Sequence, residues 1–201
     1  MFVLTVDQHR SRSHPDGVPA ALETLNKRGT DDGLSREFER TAGDEIQGVM
    51  SSPQAVVDVV LTLVRSGTWN IGIGIGAASE PLPDSTRAGH GEVFVRARAG
   101  VERAKNAPQR LWVVGAEDPR AERAGSALML LAAVVRRRST LGWEAVDMLR
   151  SGCSQAEAAE RLGVSPAAIS YRLQAAGWAE EERGRALAAA LLAEADTEGA
   201  S

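Results

Sequence analysis

Two adjacent carboxylates, Asp44 and Glu45, lie in the segment TAGDEIQGVM, directly after a glycine and before an alternation of apolar residues. Carboxylates at the tip of a predicted hairpin can bind a metal ion, bind the amino groups of a ligand, or solvate a turn. The short β-branched run FVLTV predicts a buried strand that leads into a third carboxylate, Asp7. If that strand neighbours the hairpin in one sheet, the three carboxylates converge. A binding site then becomes an alternative to the interpretation of Asp44 and Glu45 as a solvated turn.

Basic side chains follow Asp7 in the sequence DQHRSR. His9, Arg10 and Arg12 suit a phosphate or another anionic ligand, because guanidinium groups bind such oxygens through charge-assisted hydrogen bonds. An ion pair between Asp44 and Arg12 explains the same residues without any ligand. The candidate metal-binding or ligand-binding residues are Asp7, Asp44, Glu45 and Arg12.

A second candidate site lies downstream, in SQAEAAERLGVSPAAISYRLQAAG. Ser154 and Glu157 have the spacing of a capping box, which begins a short helix that Gly163 ends. Ser165 and Pro166 begin the next helix. Two short helices joined by a tight turn that contains glycine form a helix-turn-helix, here over residues 154–175. The segment resembles the helix-turn-helix core of many bacterial regulators and the promoter-reading region of sigma factors.

The second of these helices predicts a DNA-reading surface. Ile169 and Leu173 are one turn apart and form its buried side, so the other positions face outwards. Small residues near its start let the helix enter the major groove, where serine, arginine and glutamine side chains reach base edges or phosphates. A helical bundle that uses the motif for protein contact is the alternative. The predicted DNA-binding residues are Gln155, Ser165, Ala167, Ser170, Tyr171, Arg172 and Gln174.

The remaining sequence predicts the elements that hold these two sites. Alternation and helical periodicity indicate the order β-α-β-β-α-β-α-β up to residue 116, with a hairpin in the middle. This order, with helices on one face, is typical of a ferredoxin-like α+β sandwich. We therefore predict an α+β fold: a sheet unit over residues 1–116, followed by an all-α unit with the helix-turn-helix over residues 117–201.

The strand WNIGIGIG alternates isoleucine with glycine, so one of its faces carries no side chains. A bare face marks the close approach of a helix, a ligand or another backbone, and we expect a helix to pack there. Together with the apolar segment SALMLLAAVV, this strand also offers surface for a homodimer. A homodimer is expected because one helix-turn-helix usually binds too weakly to specify a site, whereas paired domains read two half-sites.

The first half of the chain resembles the SatD family over residues 2–105, because four separated motifs occur in that family's order. Asp7 ends a strand, Ser11 and Arg12 form the Ser-Arg pair, and a GDE hairpin continues to Gln47 before the Gly-x-Gly-x-Gly strand. Ile46 replaces the aromatic residue that is usual after GDE in that family.

The same order of elements is similar, more distantly, to nucleotidyl cyclases of the class III and GGDEF types. In those folds two carboxylates hold Mg²⁺, which bridges the phosphates of a nucleotide. The similarity implies Mg²⁺ or Mn²⁺ at Asp7 and Asp44, with Glu45 as a third ligand, and a nucleotide as the bound molecule. However, the hairpin has AGDE in place of GGDEF, and the later strand lacks the lysine and aspartate pair for base recognition.

Composition narrows the class of protein further. A net charge of −4 argues against coating of nucleic acid through bulk charge, but it permits a local basic face. The single cysteine, Cys153, excludes an internal disulfide and a multi-cysteine zinc site, which favours a reducing cytoplasm. The N-terminus lacks a signal-peptide pattern, and no apolar run approaches the roughly 20 residues that span a bilayer. We expect a cytoplasmic protein without a membrane partner.

These observations predict a transcriptional regulator that binds double-stranded DNA. Its sheet unit mediates dimerisation and senses a nucleotide or a metal. The alternative is a cyclase-like enzyme that acts on a nucleoside triphosphate with a divalent metal, in which the helix-turn-helix localises the enzyme. A protein-interaction adaptor is a third interpretation. The missing base-recognition residues favour the regulator over the enzyme.

Overall fold

The computed structural model describes residues 1–27, 33–79, 81–116 and 119–197, with the side chain of Arg12 outside the described part. The chain forms a mixed α+β protein built on one five-stranded sheet. Residues 117 and 118, which lie at the predicted boundary between the two units, fall outside the described ranges.

The sheet has its first strand at the centre. In spatial order β2-β3-β1-β4-β5, β1 pairs antiparallel with both β3 and β4, β2 pairs antiparallel with β3, and β4 pairs parallel with the edge strand β5. The parallel pair requires a crossover connection, which the third helix supplies. The strands are β1 (Phe2–Gln8), β2 (Leu34–Ala42), β3 (Glu45–Met50), β4 (Trp69–Ile75) and β5 (Leu111–Val114).

Side-chain caps and glycines mark helix ends. Ser52 accepts a hydrogen bond from the Ala55 N–H at 3.3 Å at the start of the second helix, and Gly67 adopts φ of 74° at its end. The α-helices are α1 (Val18–Asn26), α2 (Pro53–Ser66), α3 (Glu92–Ala104), α4 (Pro119–Arg136), α5 (Thr140–Arg150), α6 (Gln155–Leu162), α7 (Pro166–Ala175) and α8 (Trp178–Asp196).

Helices cover both faces of the sheet. Alternate residues of β1, Phe2, Leu4 and Val6, point into the main core together with apolar side chains of α1, α2, α4 and α8. Val3 points to the opposite face, where α3 packs. The layout therefore differs from the expectation of helices on one face only.

The reason for the difference lies in the glycines of β4. A Cβ atom on Gly72 would lie 2.1 Å from the backbone nitrogen of Val101, and one on Gly74 would lie 2.1 Å from the carbonyl oxygen of Val93. The backbone of α3 thus rests directly on the bare face of this strand. The expectation that a helix packs there is confirmed.

The C-terminal helices divide between two cores. Side chains of α4 and α8, such as Leu128, Leu131 and Leu192, belong to the core beneath the sheet. By contrast, α5, α6 and α7 form a small core of their own, which includes Val146, Ile169 and Leu173. The main core therefore extends past residue 116 into α4 and α8.

The two surfaces that suggested a homodimer are largely buried within one chain. The glycine face of β4 lies under α3, and the apolar side of α4 packs on β5 and α8. A dimer, if it forms, uses other surfaces. Within the described ranges, no helix is both long enough and apolar enough to cross a membrane.

Candidate functional site

The end of β1 lies between the hairpin and the start of β4. Asp7 is directly opposite Glu45 on β3 and Asn70 on β4, so these three side chains share the sheet face on which α3 packs. The backbone N–H of Gln8 donates to the carbonyl oxygen of Asp44 at 3.2 Å, which holds the hairpin against β1. Strand pairing therefore brings together the acidic residues that the sequence predicted to converge.

Glu45 is already engaged by other side chains. Its Oε1 accepts hydrogen bonds from the Thr41 hydroxyl at 2.5 Å and from Arg98 Nη2 at 3.0 Å, and its side chain is only 12% exposed. Arg98 reaches it from α3. Glu45 thus stabilises the packing of the hairpin against α3, and its carboxylate is already hydrogen-bonded within the protein.

Asp7 is held by an amide and a distant ammonium group. Asn70 Nδ2 donates to Asp7 Oδ2 at 3.2 Å, and Lys105 Nζ lies 4.0 Å from the same oxygen. Burial, followed by the negative charges of Asp44 and Glu45, raises the pKa of Asp7 above its ordinary value, although Asn70 and Lys105 partly oppose this rise. The site therefore carries a carboxylate that the fold destabilises.

A polar cavity of about 420 Å³ opens at this strand end. It combines oxygen acceptors from the acids with donors from Lys105, Arg10 and His9. Asn70 is only 3% exposed, and its Oδ1 atom has no hydrogen-bond partner. Such an atom is usually satisfied by water or a ligand. The lining residues are Asp7, Gln8, His9, Arg10, Ser11, Asp44, Asn70 and Lys105.

The expected magnesium or manganese ligands do not assemble. Among the described residues, no three or more histidine, cysteine, aspartate or glutamate side chains are arranged to hold a metal ion. Glu45 is bound to Arg98, and the Lys105 ammonium lies beside Asp7, where a cation would have to bind. The predicted pair between Asp44 and Arg12 involves a side chain outside the described part. The residues therefore do not fit the metal centre that the cyclase similarity implied.

The raised pKa of Asp7 predicts a stability change with a defined pH dependence. Asp7→Asn should raise the melting temperature at neutral pH, because it removes a charge that the folded state disfavours. The gain should shrink as the pH falls through the raised folded pKa and vanish below the ordinary value of 3.8, where both states bind the proton. Thermal unfolding of both proteins between neutral and acidic pH measures this.

Asp16→Asn serves as the control of opposite sign. Arg40 binds Asp16 and lowers its pKa, so this substitution should lower the melting temperature above pH 3.8.

Melting curves with and without Mg²⁺ test the conclusion that no metal binds here. That conclusion is contradicted if Mg²⁺ raises the melting temperature of wild type and Asp44→Asn abolishes this increase.

The two helices of the predicted helix-turn-helix, α6 and α7, form with the predicted caps. The Ser154 hydroxyl accepts from the Glu157 N–H at 3.2 Å, and the Glu157 carboxylate accepts from the Ser154 N–H at 2.7 Å. Gly163, with φ of 64°, ends α6, and the Ser165 hydroxyl accepts from the Ala168 N–H at 3.2 Å to begin α7. The capping box, the glycine stop and the second cap are confirmed.

Most of the predicted DNA-binding side chains are exposed. On α7 the exposed positions include a tyrosine, Tyr171, whose residue surface is 71% accessible. An aromatic side chain this exposed has no packing role within the chain, which leaves it free to contact a partner. The predicted residues that lie on the surface are Gln155, Ser165, Ala167, Ser170, Tyr171 and Gln174.

Arg172 does not share this outward surface. Its Nη1 donates to Glu144 Oε2 on α5 at 3.2 Å, and its side chain is only 18% exposed. The position lies beside α5 because α7 packs against that helix through Ile169 and Leu173. The expectation of an outward Arg172 is therefore wrong: the residue ties α7 to α5.

A buried ion cluster joins α5 and the α4–α5 connection to α8. Glu181 on α8 is fully buried, and its carboxylate binds three arginines: Arg138 at 2.8 Å, Arg185 at 2.8 Å, and Arg150. Burial alone would raise the pKa of Glu181, but the hydrogen bonds from Arg138 and Arg185 and the charge of Arg150 bring it below its ordinary value. We call these four residues the Glu181 cluster.

Further pairs extend the Glu181 cluster to α2. Arg185 also binds Asp58, and Arg65 forms a bidentate pair with Asp147 on α5 in which both distances are 2.7 Å. The guanidinium of Arg65 lies 4.0 Å from the ring centre of Trp143. These contacts attach α5 and α8 to α2.

Sequence reasoning missed the cations that face the acidic residues. Arg98 and Lys105 lie about two turns apart, on one side of α3 and its C-terminal end, a spacing that could have identified them. Asn70 carried a weaker signal as the only polar residue inside an otherwise aliphatic strand.

Comparison with protein-family models, with curated proteins and with solved structures finds no match to this chain. The resemblance to SatD proteins and nucleotidyl cyclases therefore rests on sequence motifs alone.

Proposed function

We propose that this chain is a DNA-binding transcriptional regulator that places α7 in the major groove of duplex DNA. The observation that carries the proposal is the capped α6–turn–α7 unit, which has its own small core and exposes Ser170, Tyr171 and Gln174 on one helix. Serine and glutamine pair with base edges or phosphates, and tyrosine donates to phosphates.

The sheet unit in this proposal is a ferredoxin-like, nucleotidyl-cyclase-like module that senses a small polar ligand. The support is the central β1, which ends in Asp7 beside the hairpin, together with the polar cavity at that end. Its volume of about 420 Å³ is within the usual range for small-molecule sites, roughly 300–1,000 Å³. Both acceptors and donors line the cavity, which suits a ligand such as a nucleotide.

A sensor is favoured over a phosphoryl-transferring enzyme by the pairing of the acids. Enzymes of that class need carboxylates that are free to hold metal. Here Glu45 is bound to Arg98, and Asp7 lies near Lys105. These cations stabilise the acidic strand end without a metal, as expected of a binding module.

Pairing of two chains forms part of the proposal, because the chain contains a single helix-turn-helix and two half-sites are needed for a specific site. Leu130 on α4 is 72% exposed and Leu187 on α8 is 56% exposed, on two helices that pack against each other. We assign these two exposed leucines to the interface of a homodimer in the cytoplasm.

A binding-site selection from random duplexes, followed by mobility-shift assays, tests the DNA function. We expect Tyr171→Ala and Gln174→Ala each to weaken binding to the selected duplex by about 1–3 kcal/mol if the residue reads a base. Gln54→Ala, an exposed glutamine on α2, is the matched control and should leave affinity unchanged. Equal affinities for all three variants, or no enriched sequence, would remove α7 from the groove.

A further inference from the structure

Three arginines and a histidine lie around the point where β1 ends and β5 begins. The His9 N–H donates to the Thr68 carbonyl at 2.7 Å, and the Arg110 carbonyl accepts from the Ile71 N–H at 2.8 Å. His9 and Arg110 therefore flank the start of β4 from its two neighbouring strands. We call the set the cationic cluster, and it consists of His9, Arg10, Arg110 and Arg136.

Arg136, the last residue of α4, completes the cationic cluster. Its Nη2 donates to the carbonyl oxygen of Gln109 at 3.2 Å, which places it next to Arg110. Burial, then the charge of Arg110, lowers the pKa of Arg136. Burial, then the charges of Arg110 and Arg10, lowers the pKa of His9. Arg110 is thus close enough to disfavour positive charge on both His9 and Arg136, and Arg10 has the same effect on His9.

Asp7 and Asp44 line the same cavity as His9 and Arg10, but they do not pair directly with the cationic cluster. None of its four side chains forms an ion pair with a carboxylate in the described part of the chain. In the Glu181 cluster, by contrast, three arginines share a buried carboxylate. Cations gathered without an anion destabilise a fold, so their presence here calls for an external partner.

Two nitrogen atoms of the cationic cluster lack hydrogen bonds. His9 Nε2 and Arg136 Nε are both buried and have no partner. Buried polar nitrogens are nearly always bonded to protein, water or ligand. An anion with several acceptor oxygens would bond to such nitrogens after a small adjustment and would cancel the repulsion between the cations.

The backbone is also unusual at two members of the cationic cluster. Arg10, with φ of 56°, and Arg110, with φ of 51°, are the only non-glycine residues with positive φ in the described ranges. Left-handed backbone is unfavourable for arginine and persists mainly where function requires a side chain to be held in place. Both strained residues contribute a guanidinium to the same cluster.

We propose that the cationic cluster is a phosphate-binding site. Guanidinium groups match the oxygens of phosphate through paired hydrogen bonds, and a doubly charged anion offsets several cations at once. The phosphate can come from a free nucleotide-like ligand, since His9 and Arg10 also line the polar cavity beside Asp7. It can equally come from the DNA backbone; only this second source rests on the proposed DNA-binding function.

Calorimetric titration of the full chain with inorganic pyrophosphate tests the site directly. Arg10→Asn and Arg110→Asn remove one charge each, and asparagine tolerates the left-handed backbone. We expect each to weaken pyrophosphate binding at least tenfold. Arg123→Gln, an exposed arginine on α4, is the control and should bind like wild type. Without ligand, both asparagine variants should melt at or above the wild-type temperature, because repulsion is relieved.

A second titration distinguishes the two sources of phosphate. If the site binds the DNA backbone, pyrophosphate binds weakly, but each asparagine variant lowers the salt-dependence slope of duplex binding by about 1 relative to Arg123→Gln. If pyrophosphate binds and duplex slopes are unchanged, the ligand is free phosphate. The proposal is overturned if neither titration distinguishes the variants from the control. A lower melting temperature of the ligand-free variants would likewise overturn it, since the arginines would then serve the fold.

Discussion

Replacement of Glu181 by alanine is expected to lower the free energy of unfolding by about 3–5 kcal/mol. Three arginines, Arg138, Arg150 and Arg185, converge on this carboxylate, and Arg138 and Glu181 have fully buried side chains. Removing the only shared anion leaves buried cations facing one another in a medium of low dielectric constant. Urea denaturation followed by circular dichroism measures the change.

The neighbouring Glu180→Ala is the matched control, since Glu180 is exposed on the same turn of α8. Surface substitutions of this kind change stability by about 0.5 kcal/mol or less. Because the folded pKa of Glu181 is depressed, its contribution is present above the ordinary value of 4.5 and lost as the pH falls below it. Equal stability of the two variants at neutral pH would show that the cluster stabilises nothing.

Gly72→Ala is expected to have the second large effect, a loss of about 3 kcal/mol, the upper end of the range for overpacked cores. The new Cβ would lie 2.1 Å from the backbone nitrogen of Val101 and 2.5 Å from the carbonyl oxygen of Ala97. Both contacts are backbone atoms of α3, so no side chain can rotate away and the whole helix must shift. Denaturant midpoints of the two proteins report the loss.

The control for Gly72→Ala is Gly17→Ala, where the nearest atoms lie at 3.5 Å and φ is −86°. That substitution should change stability by less than about 1 kcal/mol, since the added methyl group makes ordinary contacts. If Gly72→Ala unfolds with the same midpoint as wild type, α3 is not pressed against β4 as described.

The local features of this fold could be predicted from the sequence because they depend on neighbouring residues. The capping box of Ser154 and Glu157 requires only a spacing of three, and the alternation of glycine in β4 predicts a close approach regardless of what approaches. Convergence of Asp7 with Glu45 likewise follows once two strands pair. These predictions used periods of two and 3.6 residues, which the backbone imposes.

The remaining features depend on contacts between distant segments. Glu181 lies in an acidic run that is typical of a solvated helix, yet Arg138 from the α4–α5 connection and Arg150 from α5 enclose it. In the same way, Arg98 reaches Glu45 only because α3 crosses to the second face of the sheet. No local sequence pattern determines which face of a helix contacts which strand, so the partners of charged residues could not be predicted.

The division of the C-terminal helices between two cores has a consequence for how the chain is assembled from parts. Because α4 and α8 complete the core of the sheet, while α5 to α7 have their own, the unit of α5 to α7 is an insertion between two helices of the body. Its entry and exit are adjacent, since Arg138 donates to the carbonyl of Ala176 at 2.9 Å. Insertions with adjacent ends are readily exchanged. The sheet and its two long helices can thus accept a different inserted unit, and α5 to α7 can be replaced without rebuilding the sheet.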